Sequence, residues 1–541
     1  AEYVWEKYPE HLDSGFTLNP SVGEYDDPAH QRQDALTIPL TASGNVIVYG
    51  APGSGKTMFL ESMCYSLMHR HTPDEVNLYI MDFGAETMTE FSDAPHTGDV
   101  ILPHEADKID NLFKLLASTL ARRKKLMSRS GGSFAQYNEQ STEKHPNILV
   151  MIHNFANFSE LCDQHLGDLA YLTREGTRYG IYFILTCTGV NNVRLNMQQN
   201  FKSIYCLQLN NSSDYSVIVG KTGGLIPAKN PGRGMFRYDK DSVLEFQIAG
   251  LPNPAHSYTF YQDFSQNLCS RYHKKAARIP TLPERVDAMF LAPSVQPNDL
   301  RHVPVGVEKE SMRIAQVNLE DRPVHVILSQ DQSYMKFTAP FAEFLADHYN
   351  GQTHLLAPAG ISETIRDNQK LHKYTTQAEC VEGVNELFQQ VLKRNNAYKT
   401  AVEAGQPAPT FEPMFVVIQS ISELQLLLER STVENPMFPD DSMMQRLLLA
   451  VNKCSKEYNA FILIADSEAN VRSFSGHPEC KSQISKQDFI WIGNGISSQY
   501  WWNVTQKPQG YTATLDKHFG FCVNGGNAIL VKFLQTEEDD V

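Results

Sequence analysis

The residue types and spacing that point most directly to chemistry lie at positions 50–57, Gly-Ala-Pro-Gly-Ser-Gly-Lys-Thr. An apolar, β-branched run at 46–49 leads into this stretch, and a segment with a helical pattern, 57–70, follows it. The pattern G-x-x-x-x-G-K-T between a strand and a helix is typical of a loop that binds nucleotide phosphates. The alternative is a glycine loop that only turns the chain, and the Lys-Thr pair argues against it.

Each part of this loop has a chemical use. Glycines let consecutive backbone N–H groups point at a phosphate, and the N-terminus of the following helix adds positive potential. Lys56 can reach the β- and γ-phosphates, and the Thr57 hydroxyl can bind Mg²⁺. We therefore expect ATP and Mg²⁺ as cofactors. The residues predicted to contact the nucleotide are Gly50, Ala51, Pro52, Gly53, Ser54, Gly55, Lys56, Thr57 and Met58.

Length and composition limit the class of protein. A chain of 541 residues is too long for a single core, and a net charge of −15 gives no electrostatic reason to expect a nucleic-acid partner. The nine cysteines are scattered without a C-x-x-C pair, which favours reduced cytosolic thiols over a metal cluster. No apolar run reaches the ~20 residues of a membrane helix. Residues 1–10 do not read as a natural beginning, so we expect a fragment of a longer protein.

Strand-like and helix-like segments alternate along 45–250. Strands that are apolar at nearly every position predict a parallel sheet covered by helices on both faces. Residues 232–249 predict a closing β-hairpin. The predicted strands are 46–49, 77–82, 148–152, 181–186 and 203–209, and the predicted helices are 57–70, 106–129 and 158–178.

Residues 301–541 repeat the order of the first part. Six segments recur in the same order, beginning with PVG at 304–306, which matches SVG at 21–23, and followed by VHVIL at 324–328, which matches NVIVY at 45–49. The sequence therefore predicts two tandem copies of one α/β domain, each a mostly parallel sheet flanked by helices with a closing β-hairpin. We place the domains at 1–292 and 293–541. The acidic tail at 537–541 is predicted to be disordered.

Several motifs resemble those of a known family. VGEYDDP at 22–28, the loop at 50–57, TREGTRYGIYFIL at 173–185 and RGMF at 233–236 resemble FtsK/SpoIIIE-type P-loop ATPase domains. Within that family, the tandem copies and the linker IPTLPERV at 279–286 are similar to the EssC-type ATPases of the type VII secretion system of Firmicutes. The resemblance implies a RecA-like fold for each copy.

The resemblance also implies partners and a location. The implied partners are other copies of the chain, other secretion-system membrane components, and small helical-hairpin substrates with a Trp-x-Gly motif. The chain is then the cytoplasmic portion of a cell-membrane protein whose membrane part is not in this sequence. Two alternatives stay open: a DNA translocase of the FtsK/SpoIIIE kind, and a structural adaptor that binds no nucleotide.

The residues expected for hydrolysis are missing. The family places Asp-Glu at the end of its third strand, where one acid holds Mg²⁺ through water and the other activates the attacking water. Here His153 and Asn154 stand at that place, and neither supplies an anionic base. Thr188 stands where the family has a glutamine that senses the γ-phosphate. We therefore expect ATP binding with slow or absent hydrolysis, and His153 is otherwise a hydrogen-bonded strand-end histidine.

Three residues are weak catalytic candidates. Asp82 ends the second strand of the predicted sheet and can approach water near Mg²⁺, or it can serve only as a capping carboxylate. Arg174 and Arg178 precede the fourth strand, and in an oligomer one of them can reach a neighbour's nucleotide as an arginine finger. Otherwise both arginines belong to a solvated helix face.

The second copy has lost the loop chemistry. Aligned on Lys336, residues 330–337 read Gln-Asp-Gln-Ser-Tyr-Met-Lys-Phe, without a glycine, and Gln419-Ser420 replace the strand-three acids. Side chains at these positions obstruct a backbone that must wrap a phosphate, so we expect negligible ATP affinity here. Lys336 is equally well explained as an exposed helix lysine.

The altered second copy is a candidate platform for docking substrates. Its aromatic residues are possible peptide anchors if they lie at the surface, and core residues if they do not. These residues are Trp491, Tyr500, Trp501, Trp502 and Phe519.

Overall fold

The computed structural model describes residues 2–8, 15–128, 134–240, 242–251, 256–361, 365–366, 368–429, 446–447, 450–451, 453–471, 488–508, 510–516 and 518–535. The chain divides into two compact units, Ala1–Thr281 and Leu282–Val541, and each contains a ten-stranded sheet. The acidic tail at 537–541, predicted to be disordered, lies outside the described residues.

The sheet of the first unit is parallel on one side and antiparallel on the other. Its strands are β1 (Ser21–Asp27), β2 (Arg32–Thr37), β3 (Asn45–Tyr49), β4 (Val76–Asp82), β5 (Thr97–Ile101), β6 (Asn147–His153), β7 (Ile181–Cys187), β8 (Phe201–Leu207), β9 (Arg233–Arg237) and β10 (Val243–Ile248). Their order in the sheet is β2-β1-β10-β9-β8-β3-β7-β6-β4-β5. The strands from β8 to β5 pair in parallel, and β9, β10, β1 and β2 continue the sheet through antiparallel pairs.

The central strands explain why the sheet is parallel. Every residue of β3, β4, β6 and β7 is buried, which requires a cover on both faces. Burying each large apolar side chain contributes about 1.5–3 kcal/mol. The predicted α/β fold with a closing hairpin, β9–β10, is therefore confirmed. The edge strand β5 is missing from the prediction, because TGDVI contains a glycine and an aspartate and lacks an apolar pattern.

Helices cover both faces of this sheet. They are α1 (Glu2–Lys7), α2 (Leu40–Ser43), α3 (Lys56–Arg70), α4 (Ala106–Met127), α5 (Phe134–Gln140), α6 (Phe155–Leu161), α7 (Leu166–Glu175), α8 (Leu195–Gln198), α9 (Ser213–Ile218) and α10 (Ser257–Arg271). The single helix predicted at 158–178 is two helices, α6 and α7, separated by a short 3₁₀ turn at Asp163–His165.

The second unit has the same topology. Its strands are β11 (Val303–Glu308), β12 (Ile314–Val317), β13 (Val324–Ser329), β14 (Gln352–Leu356), β15 (Leu371–Tyr374), β16 (Met414–Ile418), β17 (Ala460–Ser467), β18 (Phe489–Ile492), β19 (Phe519–Asn524) and β20 (Asn527–Phe533), and its helices are α11 (Ala288–Leu291), α12 (Tyr334–His348), α13 (Gln377–Glu403) and α14 (Ile421–Glu429). The order β12-β11-β20-β19-β18-β13-β17-β16-β14-β15 repeats the first sheet strand for strand.

A buried arginine recurs at the same place in both copies. Arg123 on α4 donates to the carbonyl oxygens of Tyr179 and Gly180, immediately before β7, at 2.6 and 3.1 Å. Arg394 on α13 donates in the same way to Tyr458 and Asn459, before β17. A shared side-chain contact of this kind supports the interpretation of the two units as copies of one domain.

The division between the units differs from the expected one. The sequence placed it at 292/293, and the structure places it at Thr281/Leu282. Val286 and Leu291 are fully buried in a core of the second unit, so the segment that contains them belongs to that unit. Prolines marked a change of chain direction here, but they do not show which core the segment joins. No helix of the described residues is both long and apolar enough to cross a membrane.

Candidate nucleotide site

The loop at 50–55 connects the end of β3 to the start of α3. Its first residues are held over the ends of the neighbouring strands: Gly50 N donates to Cys187 O at 2.9 Å, and Ala51 N donates to Gln208 O at 2.8 Å. The loop is therefore anchored on β7 and β8. This is the carboxyl edge of the parallel strands, where loops leave room for a ligand.

Two glycines give the loop its path. Gly53 and Gly55 have φ angles of +76° and +103°, which side chains other than glycine rarely adopt. A Cβ on Gly55 would lie 2.4 Å from the backbone nitrogen of Gly232, at the start of the closing hairpin. The hairpin thus packs against the loop, and Met58 packs on the same glycine of the hairpin. The sequence does not reveal this contact, because 55 and 232 are far apart in the chain.

The side chain of Lys56 folds back into the loop at 50–55, which precedes it in the chain. Its Nζ donates to the carbonyl oxygens of Gly50 at 2.6 Å and Ala51 at 2.9 Å, and the residue is 9% exposed. Burial lowers the pKa of Lys56. The Ser54 hydroxyl is also buried, and it has no hydrogen-bond partner among the described residues. A polyphosphate fits these groups, since it offers acceptors to the ammonium and to the unpartnered hydroxyl.

Thr57 follows the lysine on the first turn of α3 and faces the end of β6. Its Oγ1 lies 3.4 Å from Nε2 of His153. The other ring nitrogen, Nδ1, lies 2.8 Å from the hydroxyl oxygen of Thr186 at the end of β7. Burial lowers the pKa of His153, the Asp82 carboxylate opposes this effect and the Lys56 ammonium adds to it, so the ring is neutral at pH 7.

Asn154 does not face the loop. Its φ is +60°, its backbone N–H donates to Thr186 Oγ1 at 2.8 Å, and its side-chain amide donates to Phe83 O at 3.1 Å. His153 and Asn154 therefore both use Thr186, a residue that sequence reasoning missed. The one available signal is that Thr186 stands near the end of a buried strand, next to the loop.

Asp82 lies near His153 but is engaged elsewhere. It is fully buried, and its two carboxylate oxygens accept from the backbone N–H groups of Gly84 at 2.9 Å and Met88 at 3.1 Å. These bonds organise the loop after β4. The catalytic role of Asp82 stays a prediction, and this geometry favours the capping alternative.

The other candidates lie away from the loop. Arg174 ends α7 and Arg178 lies in the following turn, just before β7 begins, so both are at the amino edge of the sheet. Both are exposed, and Arg174 pairs with Glu175 at 3.1 Å. The structure does not bring either arginine to the loop of its own unit. Thr188, after β7, binds the side chain of Asn192 through its backbone N–H and its hydroxyl.

In the second unit, the loop aligned from sequence at 330–337 needs correction. Helix α12 begins at Tyr334, five residues after β13 ends at Ser329, whereas α3 begins seven residues after β3 ends at Tyr49. The loop before the helix is thus shorter. Tyr334, not Lys336, occupies the position of the loop lysine, and Lys336 is exposed on the helix.

The shortened loop is filled by its own side chains. A Cβ on Gly495 would lie 2.1 Å from Oε1 of Gln330, which shows how closely that amide packs. Tyr334 is 2% exposed, and burial raises its pKa to about 12. Gln419 donates to Met335 O at 3.2 Å. Side chains of the second unit itself therefore pack closely around this shorter loop.

The aromatic residues of the second unit do not form a surface patch. Trp491 is fully buried and donates from Nε1 to Asn494 O, and Trp502 and Phe519 are 4% and 8% exposed. Trp501 is half-buried against the same core, and only Tyr500 of this set is exposed. The docking interpretation is wrong for Trp491, Trp502 and Phe519, because they fill the core of their own domain, and it stays a prediction for Tyr500 and Trp501.

Comparison with known proteins finds a family similar to the first unit. Residues 17–223 match the model of the FtsK/SpoIIIE family. The resemblance predicted from the motifs is therefore confirmed.

Three similar proteins extend the comparison. The ESX secretion system protein YukB of Bacillus subtilis (strain 168) is 29% identical over 316 residues, which are 57% of this chain and 21% of that protein. EssC (ATPases 2 and 3) from Geobacillus thermodenitrificans has the same fold, with a TM-score of 0.80 at 22% identity, over 97% of this chain and 98% of that chain. Thermomonospora curvata EccC (ATPases 2 and 3), in complex with a signal sequence peptide, gives a TM-score of 0.55 at 16% identity, over 98% and 95%. The chain spans about a fifth of the length of the curated relatives it matches.

Proposed function

We propose that this chain is the cytosolic, nucleotide-binding part of a type VII protein secretion motor. Its first unit binds ATP with a divalent cation, and its second unit is a pseudo-ATPase. The observation that carries the proposal is the intact loop at 50–55, with Lys56 inside it and Thr57 on the first helical turn. The similarity to EssC, EccC and YukB supports the assignment to secretion.

The first unit is built to hold ATP more than to hydrolyse it. Hydrolysis needs a base that takes a proton from water, placed within about 2.6–3.2 Å of it or one water away. Beside Thr57 the described residues place the neutral ring of His153, and the nearby carboxylate of Asp82 accepts two backbone N–H groups. The arrangement supports binding and positioning of phosphates, and it gives no anionic base to the attacking water.

The second unit has a structural role and is the proposed docking platform for substrates. Its loop is shorter and is filled by Tyr334 and Gln330, so it leaves no room for phosphates. Small helical-hairpin substrates with a Trp-x-Gly motif are the proposed cargo, and the signal sequence peptide bound to the Thermomonospora curvata EccC supports this class. Other copies of the chain and membrane components of the secretion system are the remaining proposed partners.

Calorimetric titration of ATP with Mg²⁺ into the whole chain tests the proposal. We expect one site per chain. Lys56→Ala removes charge-assisted hydrogen bonds worth about 1.5–3 kcal/mol each, so affinity should fall by roughly 10- to 100-fold. Lys336→Ala is the matched control, because it makes the same change on the exposed face of α12 and should leave the titration unchanged.

Two results would contradict the proposal. A second ATP site that disappears in Lys336→Ala would refute the pseudo-ATPase assignment. Steady phosphate release that disappears in Lys56→Ala would refute the claim that the first unit only holds nucleotide. Absence of any ATP binding would favour the structural adaptor.

A further inference from the structure

The imidazole of His153 and the hydroxyl of Thr57 are placed to share one cation. Nε2 and Oγ1 are 3.4 Å apart. Two ligand atoms at right angles around a metal ion, each about 2.1 Å from it, lie about 3 Å apart. A small rotation of the Thr57 side chain therefore brings both atoms to ligand positions, beside the loop at 50–55.

The ring is held in the orientation that a metal ligand needs. Its second nitrogen, Nδ1, lies 2.8 Å from Thr186 Oγ1, and histidines that bind metals characteristically use the second nitrogen in such a hydrogen bond. Gly84 packs directly on the other side, since a Cβ there would lie 2.4 and 2.5 Å from Cδ2 and Nε2 of the ring. The position of Nε2 is thus fixed from two sides.

The neighbouring polar side chains make other contacts. Both oxygens of Asp82 accept from backbone N–H groups, and Asn154 is turned toward Phe83, to whose carbonyl oxygen its Nδ2 donates. The donors left facing the phosphates are one imidazole nitrogen and one hydroxyl oxygen. Magnesium prefers an all-oxygen shell, whereas first-row transition ions such as Co²⁺ bind imidazole nitrogen well.

The cation arrives with the nucleotide. Among the described residues there is no group of three His, Cys, Asp or Glu side chains that could hold a metal ion. Phosphate oxygens and water then supply the remaining ligands, so the site favours a metal–nucleotide complex over a free ion.

We propose that His153 is a direct ligand of the cation bound with the nucleotide, and that the first unit therefore prefers the nucleotide complex of an imidazole-binding transition ion to that of Mg²⁺. The inference rests on the proposed function, since it requires nucleotide at this loop. The cofactor is then a nucleoside triphosphate that carries a divalent ion able to bind imidazole nitrogen.

The test compares ATP with saturating Co²⁺ and with saturating Mg²⁺, by calorimetric titration into the whole chain. We expect the Co²⁺ complex to bind at least about tenfold more tightly than the Mg²⁺ complex. Tenfold is the lower end of the change in metal affinity that follows when the surroundings of a metal ligand are altered. The Co²⁺ complex should also show a paramagnetically shifted imidazole N–H signal in NMR. Co²⁺ without nucleotide should give no such signal.

Three variants locate the effect. His153→Asp should lose the shifted signal and reverse the preference toward Mg²⁺, and His153→Gln should lose the signal and the preference. Thermal unfolding of both variants shows whether they fold. His30→Gln is the matched control, because His30 is an exposed histidine of the same unit and should leave signal and preference unchanged.

The outcomes separate this inference from the proposed function. Equal affinity for the two complexes, or a shifted signal that survives in folded His153→Asp or His153→Gln, overturns the role of His153 and leaves nucleotide binding intact. Failure of ATP to bind with either ion overturns the proposed function itself.

Discussion

A buried glutamate and a half-buried glutamate lie near each other in the first unit. Glu61 lies one turn after Thr57 on α3, and Glu90 lies in the 3₁₀ turn Thr87–Phe91 after β4. Glu90 is 4% exposed, and its Oε1 has no hydrogen-bond partner in the part of the chain that the structure describes. Burial, together with the carboxylates of Glu61 and Asp82, raises the pKa of Glu90 to about 8. Burial raises the pKa of Glu61 to about 7.

These pKa values make the first unit less stable in base. A carboxyl whose pKa is raised on folding favours the folded state when protonated. Its stabilising contribution is complete below the ordinary pKa of 4.5 and is lost as the pH rises through about 8. One pKa unit corresponds to about 1.4 kcal/mol, so the loss for Glu90 is on the order of 4 kcal/mol by pH 8.

The perturbation that tests this reasoning is Glu90→Gln, which keeps the shape of the side chain and removes the titration. Relative to the parent, the variant should gain stability as the pH rises from 5 to 8.5. A few kcal/mol corresponds to roughly 10 °C in melting temperature for a unit of this size. Thermal unfolding of the whole chain measures the gain, and hydrogen exchange of the α3 amides assigns it to the first unit.

Glu86→Gln is the control, because Glu86 is an exposed glutamate in the same connection after β4. Its melting temperature should follow that of the parent at both pH values. If Glu90→Gln also follows the parent from pH 5 to 8.5, Glu90 is not forced to ionise in a buried site, and the reasoning is refuted.

Two further predictions concern the loop and the scaffold. Gly55→Ala should weaken ATP binding by about tenfold or more in calorimetry, since its Cβ would lie 2.4 Å from the backbone nitrogen of Gly232. Gly53→Ala should weaken binding less, because its Cβ would meet nothing within 4 Å. Equal losses in the two variants would contradict the hairpin contact. Arg123→Met should lower the melting temperature by roughly 10 °C, because the carbonyl oxygens of Tyr179 and Pro146 lose the guanidinium, at about 1–3 kcal/mol each. An unchanged melting temperature would count against this.

The sequence alone predicted the features that are specified by residues close together in the chain. The nucleotide loop could be predicted because G-x-x-x-x-G-K-T fixes a backbone path over eight consecutive residues. The buried parallel strands could be predicted because a strand covered on both faces is apolar at nearly every position. The duplication followed from the order of six segments, and the identical strand order of the two sheets agrees with it.

Only the tertiary structure decided what depends on distant residues. It moved the aligned position of the second loop from Lys336 to Tyr334, because the start of α12 sets where a helix N-terminus can point. It placed Trp491 in the core, since an aromatic residue is equally compatible with a core and a surface. It showed the nitrogen of His153 beside Thr57, held there by Thr186. The sequence by itself determined that a nucleotide loop exists. The packing of β3, β4, β6 and β7 decided which side chains lie near that loop, because side chains far apart in the chain meet only after the sheet has formed.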